Sequence, residues 1–336
     1  MHLSLRLYIL VAKSLFLIKL NYPDYISCDL APTQKSIKYV SANAHLLVNA
    51  VRHDSQRVGW LSNLYLTEKP SGNTQMNESH EKLAKSLADA WLSGGTIPLP
   101  AAEDAPVSRT EAYAIQDKMA ESIGCRVSGW KVGAAVKAVQ FFENHDGPLP
   151  GRVFEDRTFD VNAVVPAALY NGAKVESEFA FRLTDPLPPG TDPVTVADLQ
   201  TKIAFHPAIE LSAARYAPGT GGRAATTFDG IADNGTAGAA VLGDAVDDWR
   251  DLPFERMVID ARIDDSPPIQ AYSKIYRRNP VEIMAETLSD LRQRGVNFEP
   301  GMFLLTGSLT IPTPIRKRQK LTVKIGDFPL ITLLLE

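Results

Sequence analysis

Apolar side chains recur at helical spacing just after residue 75. Leu83, Leu87 and Trp91 follow one another at four-residue intervals, which places them on one face of a helix. The pattern predicts a helix over residues 77–92, and Gly94 follows it as a stop signal.

Three further helices are predicted from their start and stop signals. Ser108 and Glu111 form a capping box, and Gly124 ends that helix. Asn279 followed by Pro280 begins another, which ends at Gly295. A shorter helix is expected to begin after a Thr195 cap. The predicted bounds are 108–124, 279–295 and 195 to about 204.

Strand-like apolar runs outnumber these helices. They are Val127–Val132, Val175–Leu183, Ile209–Ala214, Phe254–Ile263, Met302–Gly307 and Leu321–Leu335. Because the runs do not alternate regularly with helices, the pattern favours an α+β fold over a doubly wound α/β sheet.

Residues 1–75 differ in character from the rest of the chain. Their apolar stretch at positions 3–20 is interrupted by Arg6, Lys13 and Lys19, which is unfavourable for a membrane span and for a signal peptide. A targeting segment, a peripheral extension and a poorly ordered leader are the alternatives, and we expect the leader. Residues 76–336 are then one functional domain, and Met76 is a plausible start.

The charge changes at the same place. Residues 1–75 carry a net charge of +4 and the remainder −8, which gives −4 for all 336 residues. An acidic body argues against nucleic-acid binding. The two cysteines, Cys28 and Cys125, are too few for a disulfide framework or a cysteine-rich zinc site. We therefore expect a cytoplasmic protein that engages neither membrane nor nucleic acid.

The segment K-V-E-S-E-F-A-F-R-L at 174–183 carries the strongest chemical signal. Alternate residues of a strand share a face, so Glu176 and Glu178 point the same way. Two carboxylates this close repel each other unless a cation or a proton lies between them. Carboxylate oxygens suit Mg²⁺ or Mn²⁺. A solvated sheet face is the alternative for this pair.

Three other polar residues lie in unusual surroundings. Glu210 interrupts an apolar run, either as the third ligand of a metal triad or as the partner of a cation such as Arg215. Lys131 lies between two glycines in G-W-K-V-G, as a surface group or as a cation facing an anionic substrate. Asp156, in a predicted turn, is less distinctive.

Five motifs in this order together resemble the fumarylacetoacetate hydrolase superfamily, and most closely its 2-keto-4-pentenoate hydratase and 4-oxalocrotonate decarboxylase branch. They are G-W-K-V-G with the following K-A-V-Q, G-R-V-F-E-D, E-S-E-F-A-F, H-P-A-I-E and I-A-D-N-G. The resemblance covers residues 76 to the C-terminus. It implies a mixed β-sandwich roll with peripheral helices and a homo-oligomer.

The same resemblance implies a function and its residues. Glu176, Glu178 and Glu210 would bind a divalent metal, Mg²⁺ or Mn²⁺, while Lys131 and the nearby Asp156 would relay protons. The implied reaction is hydration of a 2-hydroxypenta-2,4-dienoate-like acid, or decarboxylation of a 2-oxo-dicarboxylate. A carbon–carbon bond hydrolase, which would need a pair such as His145 with Glu143, and a non-enzymatic scaffold are the alternatives.

The chain departs from the family pattern before the helix at Asn279. A small-residue S-G-x-G-type loop is replaced by A-Y-S-K-I-Y-R-R at 271–278. Lys274, Arg277 or Arg278 could therefore recognise a second carboxylate of a substrate, or they could be surface charges.

Overall fold

The computed structural model describes residues 76–143, 145, 147–273 and 276–336, and the backbone of residues 5–11 and 14–20. The chain divides into two units, Met1–Gly72 and Asn73–Glu336. In the first unit, β1 (Leu5–Val11) pairs with β2 (Ser14–Leu20) as an antiparallel hairpin. The remainder of the predicted leader lies outside the described residues.

The second unit contains the helices of the described residues. They are α1 (Glu78–Ser93), α2 (Arg109–Ile123), α3 (Lys137–Phe142), α4 (Val196–Leu199), α5 (Thr227–Ala232) and α6 (Pro280–Gln293). None of them is both long and apolar enough to cross a membrane.

Its strands alternate irregularly with those helices. They are β3 (Val127–Gly133), β4 (Leu149–Phe154), β5 (Thr158–Asp160), β6 (Ala163–Val165), β7 (Lys174–Leu183), β8 (Ile203–Ser212), β9 (Ala237–Leu242), β10 (Ile259–Ile263), β11 (Phe303–Ser308), β12 (Thr313–Pro314), β13 (Lys320–Ile325) and β14 (Ile331–Leu335). This is the predicted α+β class.

Two mixed sheets make up the body of the second unit. The larger has the order β4-β3-β11-β7-β8-β9-β5, with β12 pairing to β7, and the smaller has the order β10-β13-β14-β6. Both combine parallel and antiparallel neighbours. A cluster of buried aromatic rings, including Phe179, Phe181, Phe205 and Phe254, packs at centroid distances of 5.0–5.7 Å.

The three long helices begin and end close to their predicted signals. The Asn77 side chain accepts a hydrogen bond from the His80 amide (2.7 Å), and Gly94 ends α1 with φ of 71°. The Ser108 hydroxyl accepts a hydrogen bond from the Glu111 amide (3.2 Å). Asn279 caps α6 in the same way.

Four predicted elements have wrong boundaries. The predicted strand Ile209–Ala214 begins earlier, as β8, and the predicted run Leu321–Leu335 is divided into β13 and β14. The helix after Thr195 ends at Leu199 rather than near Ala204, because β8 already begins at Ile203. That strand runs through Pro207, at the end of the β9 ladder. The Pro207 carbonyl accepts a hydrogen bond from the Gly243 amide (2.8 Å), and the Gly243 carbonyl contacts Nδ1 of His206 (2.8 Å), where proline has no N–H to offer. Only Ile259–Ile263 of the predicted run Phe254–Ile263 is a strand, since Phe254–Arg256 forms a 3₁₀ turn.

Candidate metal centre and its cavity

Three carboxylates converge in the middle of the larger sheet. Glu176 and Glu178 alternate along β7, and Glu210 lies on β8 directly opposite Glu176. One carboxylate oxygen from each lies within 4.8 Å of the other two. The structure thus brings together the three acids that the sequence suggested as metal ligands.

The acids differ in burial and in partners. Glu176 accepts a hydrogen bond from the Ser212 hydroxyl (3.1 Å) and is half-buried. Glu178 is fully buried, and its Oε2 accepts from the Gly307 amide (2.8 Å). Oε1 of Glu178 and Oε2 of Glu210 are buried with no hydrogen-bond partner among the described residues. Unpartnered buried carboxylate oxygens are costly unless a cation binds them.

A β-bulge supplies the backbone amide that donates to Glu178. The pairing of β11 with β7 shifts register between Leu305 and Ser308. Gly307 within this bulge adopts φ of 103°, which only glycine takes without strain. The bulge therefore turns a backbone N–H out of the ladder and toward the carboxylate.

Lys131 is the cation of this centre. It lies on β3, and its Nζ is 3.2 Å from Oε1 of Glu210, with both side chains almost fully buried. Burial lowers the pKa of Lys131, but the charges of Glu210, Glu176 and Glu178 outweigh this and hold its pKa above the ordinary value. The ammonium form is therefore favoured.

The pKa values of two carboxyl groups are also raised, which for an acid favours the neutral form. Burial and the charges of Glu210 and Glu176 raise the pKa of Glu178 well above its ordinary value. Burial raises the pKa of Glu210 to about 7, although Lys131 opposes the change. Crowding of like charges in a buried site explains both shifts.

These residues fit a divalent cation. Three ionised carboxylates and one ammonium carry a formal net charge of −2, which one divalent ion neutralises. The donor atoms are all carboxylate oxygens, the type that Mg²⁺ and Mn²⁺ prefer. The two unpartnered oxygens are available as ligands.

A cavity of about 410 Å³ opens beside the centre. Glu176 and Lys131 lie in its wall together with apolar side chains, among them Val136, Leu149, Ile231 and Ile283. Four polar residues from the segment after β10 also line the cavity: Tyr272, Tyr276, Arg277 and Arg278. The cavity therefore combines a charged end with an apolar body, as small-molecule sites do.

A left-handed turn holds the stem of Lys131. Asn234, Gly235 and Thr236 have φ values of 53°, 61° and 56°, an uncommon conformation for the two residues that are not glycine. The Asn234 side chain fastens this turn to β4 by bonds of 2.7 and 2.9 Å to the backbone of Arg152. The turn packs against Gly151, where a Cβ would lie 3.4 Å from the Lys131 side chain.

Asp156 is not part of this arrangement, so the expectation that it lies near Lys131 is wrong. It sits in a 3₁₀ turn after β4, with its side chain about half exposed. Its carboxylate contacts the Cys125 thiol (3.4 Å) and the Arg157 guanidinium (3.4 Å), and it does not line the cavity. The motif shows that Asp156 is close to Lys131 along the chain, but it does not show that Asp156 follows the end of β4 and lies outside the cavity wall.

Several residues of the site were not singled out from the sequence. In the sequence, Gly307 stands only at the end of the strand-like run Met302–Gly307, and Tyr272 and Tyr276 stand only within the replaced segment at 271–278. Arg215, the suggested partner of Glu210, instead binds the buried Asp233 with its Nε. Lys274 lies outside the described residues. No local pattern could have found the Gly307 contact, since it depends on the β11–β7 register.

No family model matches the chain, but individual proteins do. A 2-keto-4-pentenoate hydratase of Paraburkholderia xenovorans (strain LB400) is 32% identical over 170 residues, 49% of this chain and 61% of that protein. The chain thus matches about three fifths of that relative's length. A 2-oxo-hept-4-ene-1,7-dioate hydratase of Escherichia coli is 27% identical over 261 residues, 74% of this chain and 95% of that protein.

Solved structures show the same fold. The 4-oxalocrotonate decarboxylase from Pseudomonas putida G7, complexed with magnesium and adipate, superposes with a TM-score of 0.68 at 18% identity. The superposition covers 77% of this chain and 98% of that one. The chain thus has the fold of this decarboxylase, and its sequence is similar to those of the two hydratases, in agreement with the resemblance to the fumarylacetoacetate hydrolase superfamily.

Proposed function

We propose that this protein is a divalent-metal-dependent lyase that acts on 2-oxo or 2-hydroxy-dienoic acids. It would hydrate a 2-hydroxypenta-2,4-dienoate-like substrate or decarboxylate a 2-oxo-dicarboxylate. The observation that carries the proposal is the buried triad of Glu176, Glu178 and Glu210 beside a cavity of about 410 Å³. Relatives in the same branch are named hydratases.

Glu176, Glu178 and Glu210 would hold the cation, Mg²⁺ or Mn²⁺. When bound, such a cation stabilises the negative charge that develops on a 2-oxo acid as it becomes an enolate. The Gly307 amide fixes one oxygen of Glu178 and leaves the other toward the centre. The Ser212 hydroxyl orients Glu176 from the side of β8.

Lys131 is the residue of this chain best placed to handle a proton. Its ammonium lies in the cavity wall, and its raised pKa means that Nζ carries a proton at neutral pH. From there it can donate a proton to a substrate carbon or oxygen, or stabilise a carboxylate. The apolar wall around Leu149 and Ile231 keeps bulk water from the carbon chain of the substrate.

The hydrolase alternative has less support from the cavity. Glu143 lines it, but its carboxylate accepts a hydrogen bond from the Thr227 hydroxyl (3.0 Å). The Nδ1 atom of His145 faces the Gly147 carbonyl (3.2 Å), and His145 is not among the lining residues. We therefore favour the lyase.

The test is an assay of the purified full chain with Mg²⁺ or Mn²⁺. Loss of dienol absorbance reports hydration, and CO₂ release from oxo-dicarboxylates reports decarboxylation. Glu176→Gln should abolish metal-dependent turnover. Glu299→Gln, which changes an exposed carboxyl that does not line the cavity, should not. Full activity in E176Q would contradict the triad, and no turnover by the wild type would favour the non-enzymatic scaffold.

The expected homo-oligomer and cytoplasmic location remain part of this proposal. They rest on family resemblance and cysteine usage. Light scattering coupled to size-exclusion chromatography measures the first, and fractionation of the source cells measures the second.

A further inference from the structure

The charged groups that line the cavity differ in whether they already have partners. Lys131 pairs with Glu210, and Glu176 and Glu143 each accept a hydrogen bond from a hydroxyl. Arg278 binds Glu286 through two hydrogen bonds of 2.9 and 2.7 Å. These groups are therefore satisfied, or belong to the carboxylate centre itself.

Arg277 differs from all of them. Its Nη1 donates to the Met257 backbone carbonyl (2.5 Å), which positions the side chain without neutralising its charge. Its Nε is buried and has no hydrogen-bond partner among the described residues. No carboxylate of the described residues forms an ion pair with it. Arg277 is thus an uncompensated guanidinium in the cavity wall.

The surroundings of Arg277 raise the cost of leaving it unpaired. Burial lowers its pKa, and no anion among the described residues offsets the effect. A guanidinium remains protonated in proteins, so the cost is borne as an unsatisfied charge. A carboxylate relieves this cost best, because it matches the planar fork of N–H donors.

Two tyrosines connect this cation with the carboxylate centre. The Tyr272 and Tyr276 rings contact each other at 5.5 Å between centroids. Burial raises the pKa of Tyr272, and the charge of Glu176 raises it further, so Tyr272 lies within reach of the field of that carboxylate. Glu176, both tyrosines and Arg277 line the same cavity. A chain-like ligand held at the carboxylate centre can therefore run along the tyrosines to Arg277.

We propose that Arg277 binds the distal carboxylate of the substrate, and that the preferred substrates are dicarboxylic 2-oxo acids. This inference rests on the proposed function for the position of the first carboxylate at the metal centre. It selects among the substrates left open above: those with a second carboxylate, not the 2-hydroxypentadienoate type with one.

The test compares two ligands of equal length. 2-Oxoadipate and 2-oxohexanoate each have six carbons and the same 2-oxo acid end, and they differ in the distal carboxylate alone. Their dissociation constants are measured by calorimetry on the full chain with Mg²⁺. The wild type is expected to bind 2-oxoadipate about tenfold or more tightly than 2-oxohexanoate. The reason is that the distal carboxylate of 2-oxoadipate can form a charge-assisted, bidentate contact with Arg277.

Variants assign that preference to Arg277. Arg277→Gln should reduce the ratio of the two constants to about twofold or less and leave the affinity for 2-oxohexanoate unchanged. Arg278→Gln is the matched control. It also removes one guanidinium charge from the cavity wall, but that guanidinium is already paired with Glu286. It should retain most of the preference. Arg277→Lys keeps the charge without the fork and should give an intermediate ratio, and it replaces R277Q if that variant does not fold.

Two results would overturn the inference: a wild type without preference for 2-oxoadipate, or an Arg277 variant that keeps the whole preference. Failure of the proposed function is distinct from either. If the wild type turns over no 2-oxo acid, but prefers 2-oxoadipate while R277Q does not, the lyase proposal fails and the role of Arg277 stands. If turnover is found but the preference is absent or independent of Arg277, the reverse holds.

Discussion

Glu176 on β7 and Glu210 on β8 are direct cross-strand neighbours. Like charges in this position destabilise a sheet, and here the pair is crowded further by the fully buried Glu178. Lys131 compensates one of the three charges. The remaining charge makes the centre unfavourable for folding until a cation binds, and this gives the first prediction.

Glu178→Gln is expected to stabilise the metal-free protein. The amide has nearly the shape of the carboxyl group, can still accept from the Gly307 amide, and removes one of the repelling charges. Relief of about 1 kcal/mol corresponds to a rise of about 2–4 °C in Tm for a domain of this size. Mg²⁺ should raise Tm of the wild type but not of E178Q.

The measurement is thermal unfolding in EDTA and in Mg²⁺. Glu299→Gln serves as the control, because this carboxyl is about half exposed and pairs with Arg126 at 3.4 Å. It should leave both Tm and the Mg²⁺ response unchanged. An E178Q protein that is less stable in EDTA yet still responds to Mg²⁺ would contradict the assignment of Glu178.

Lys131→Met is expected to separate metal binding from turnover. Removal of the ammonium leaves Glu210 without its cation, so the metal-free protein should lose stability and the Mg²⁺-induced rise in Tm should be larger. Turnover should fall about 100-fold or more if Nζ transfers a proton. Steady-state kinetics and thermal unfolding on the same sample check both effects. Turnover within threefold of wild type would exclude Lys131 from the reaction.

Gly151→Ala is expected to disturb the turn that holds Lys131. A Cβ at this position would lie 2.2 Å from the Asn234 carbonyl oxygen, too close for backbone that is already in a left-handed conformation. We expect a loss of about 1–3 kcal/mol in the free energy of unfolding. Gly230→Ala is the control, since its Cβ meets nothing within 4 Å and α5 should gain up to about 1 kcal/mol. Urea unfolding measures the free energy of unfolding of both variants and of the wild type. If G151A is as stable as the wild type, the turn adjusts to the added methyl group and the prediction is wrong.

Asp229 should make a pH-dependent contribution to stability. Its buried carboxylate accepts two bonds of 2.7 Å from Arg223 and further bonds from Thr226. Burial raises its pKa, but these bonds outweigh that and hold the pKa of Asp229 below the ordinary value. A folded-state pKa below the unfolded one means that the stabilisation is complete above about pH 4 and is lost as the pH falls through the folded value.

Asp229→Asn is therefore expected to cost about 2 kcal/mol or more at pH 7 and progressively less below about pH 4. Asp260→Asn is the control, because Asp260 forms an ion pair with Arg262 in which both side chains are about half exposed. It should cost less than about 1 kcal/mol at either pH. Urea unfolding at pH 7 and at pH 3.5 measures the difference. A cost for D229N that does not decrease in acid would contradict the pairing.

A chain that begins at Met76 is expected to fold and to retain activity. The residues proposed to bind metal and substrate all lie after this position. Met76 itself packs against a buried cluster to which α1 and α2 contribute most of the side chains. Circular dichroism, thermal unfolding and the lyase assay compare it with the full chain. If the shortened chain fails to fold, the domain boundary is wrong and residues 1–75 contribute to the structure.

The carboxylate triad could be predicted from the sequence because strand alternation is a local rule. An E-x-E pair in a strand presents both acids on one face whatever the rest of the chain does. Glu210 stood out because an acid in an apolar run needs a partner. Which cation lies beside Glu210 depends on the tertiary structure. Lys131 lies there, whereas Arg215, the cation named from the sequence, binds Asp233.

Elements whose character depends on packing were missed. The segment A-G-A-A-V-L of β9 has little strand propensity, yet it lies between β8 and β5 with every residue buried. Small residues are required there, since a Cβ on Gly238 would lie 2.2 Å from the Leu211 carbonyl oxygen. The position of Asp156 outside the site is of the same kind, because it depends on the 3₁₀ turn after β4.

The strand β11 lies between β3, which carries Lys131, and β7, which carries Glu176 and Glu178. It is nevertheless the last of these three to be synthesised, because the chain is made from its N-terminus. A nascent chain that has not reached Gly307 thus holds the acidic strands with neither the strand that joins them to the lysine nor the amide that fixes Glu178. On the ribosome, the carboxylate centre can therefore form only after β11 has emerged, so a cation cannot find its complete set of surroundings before residue 307 has been made.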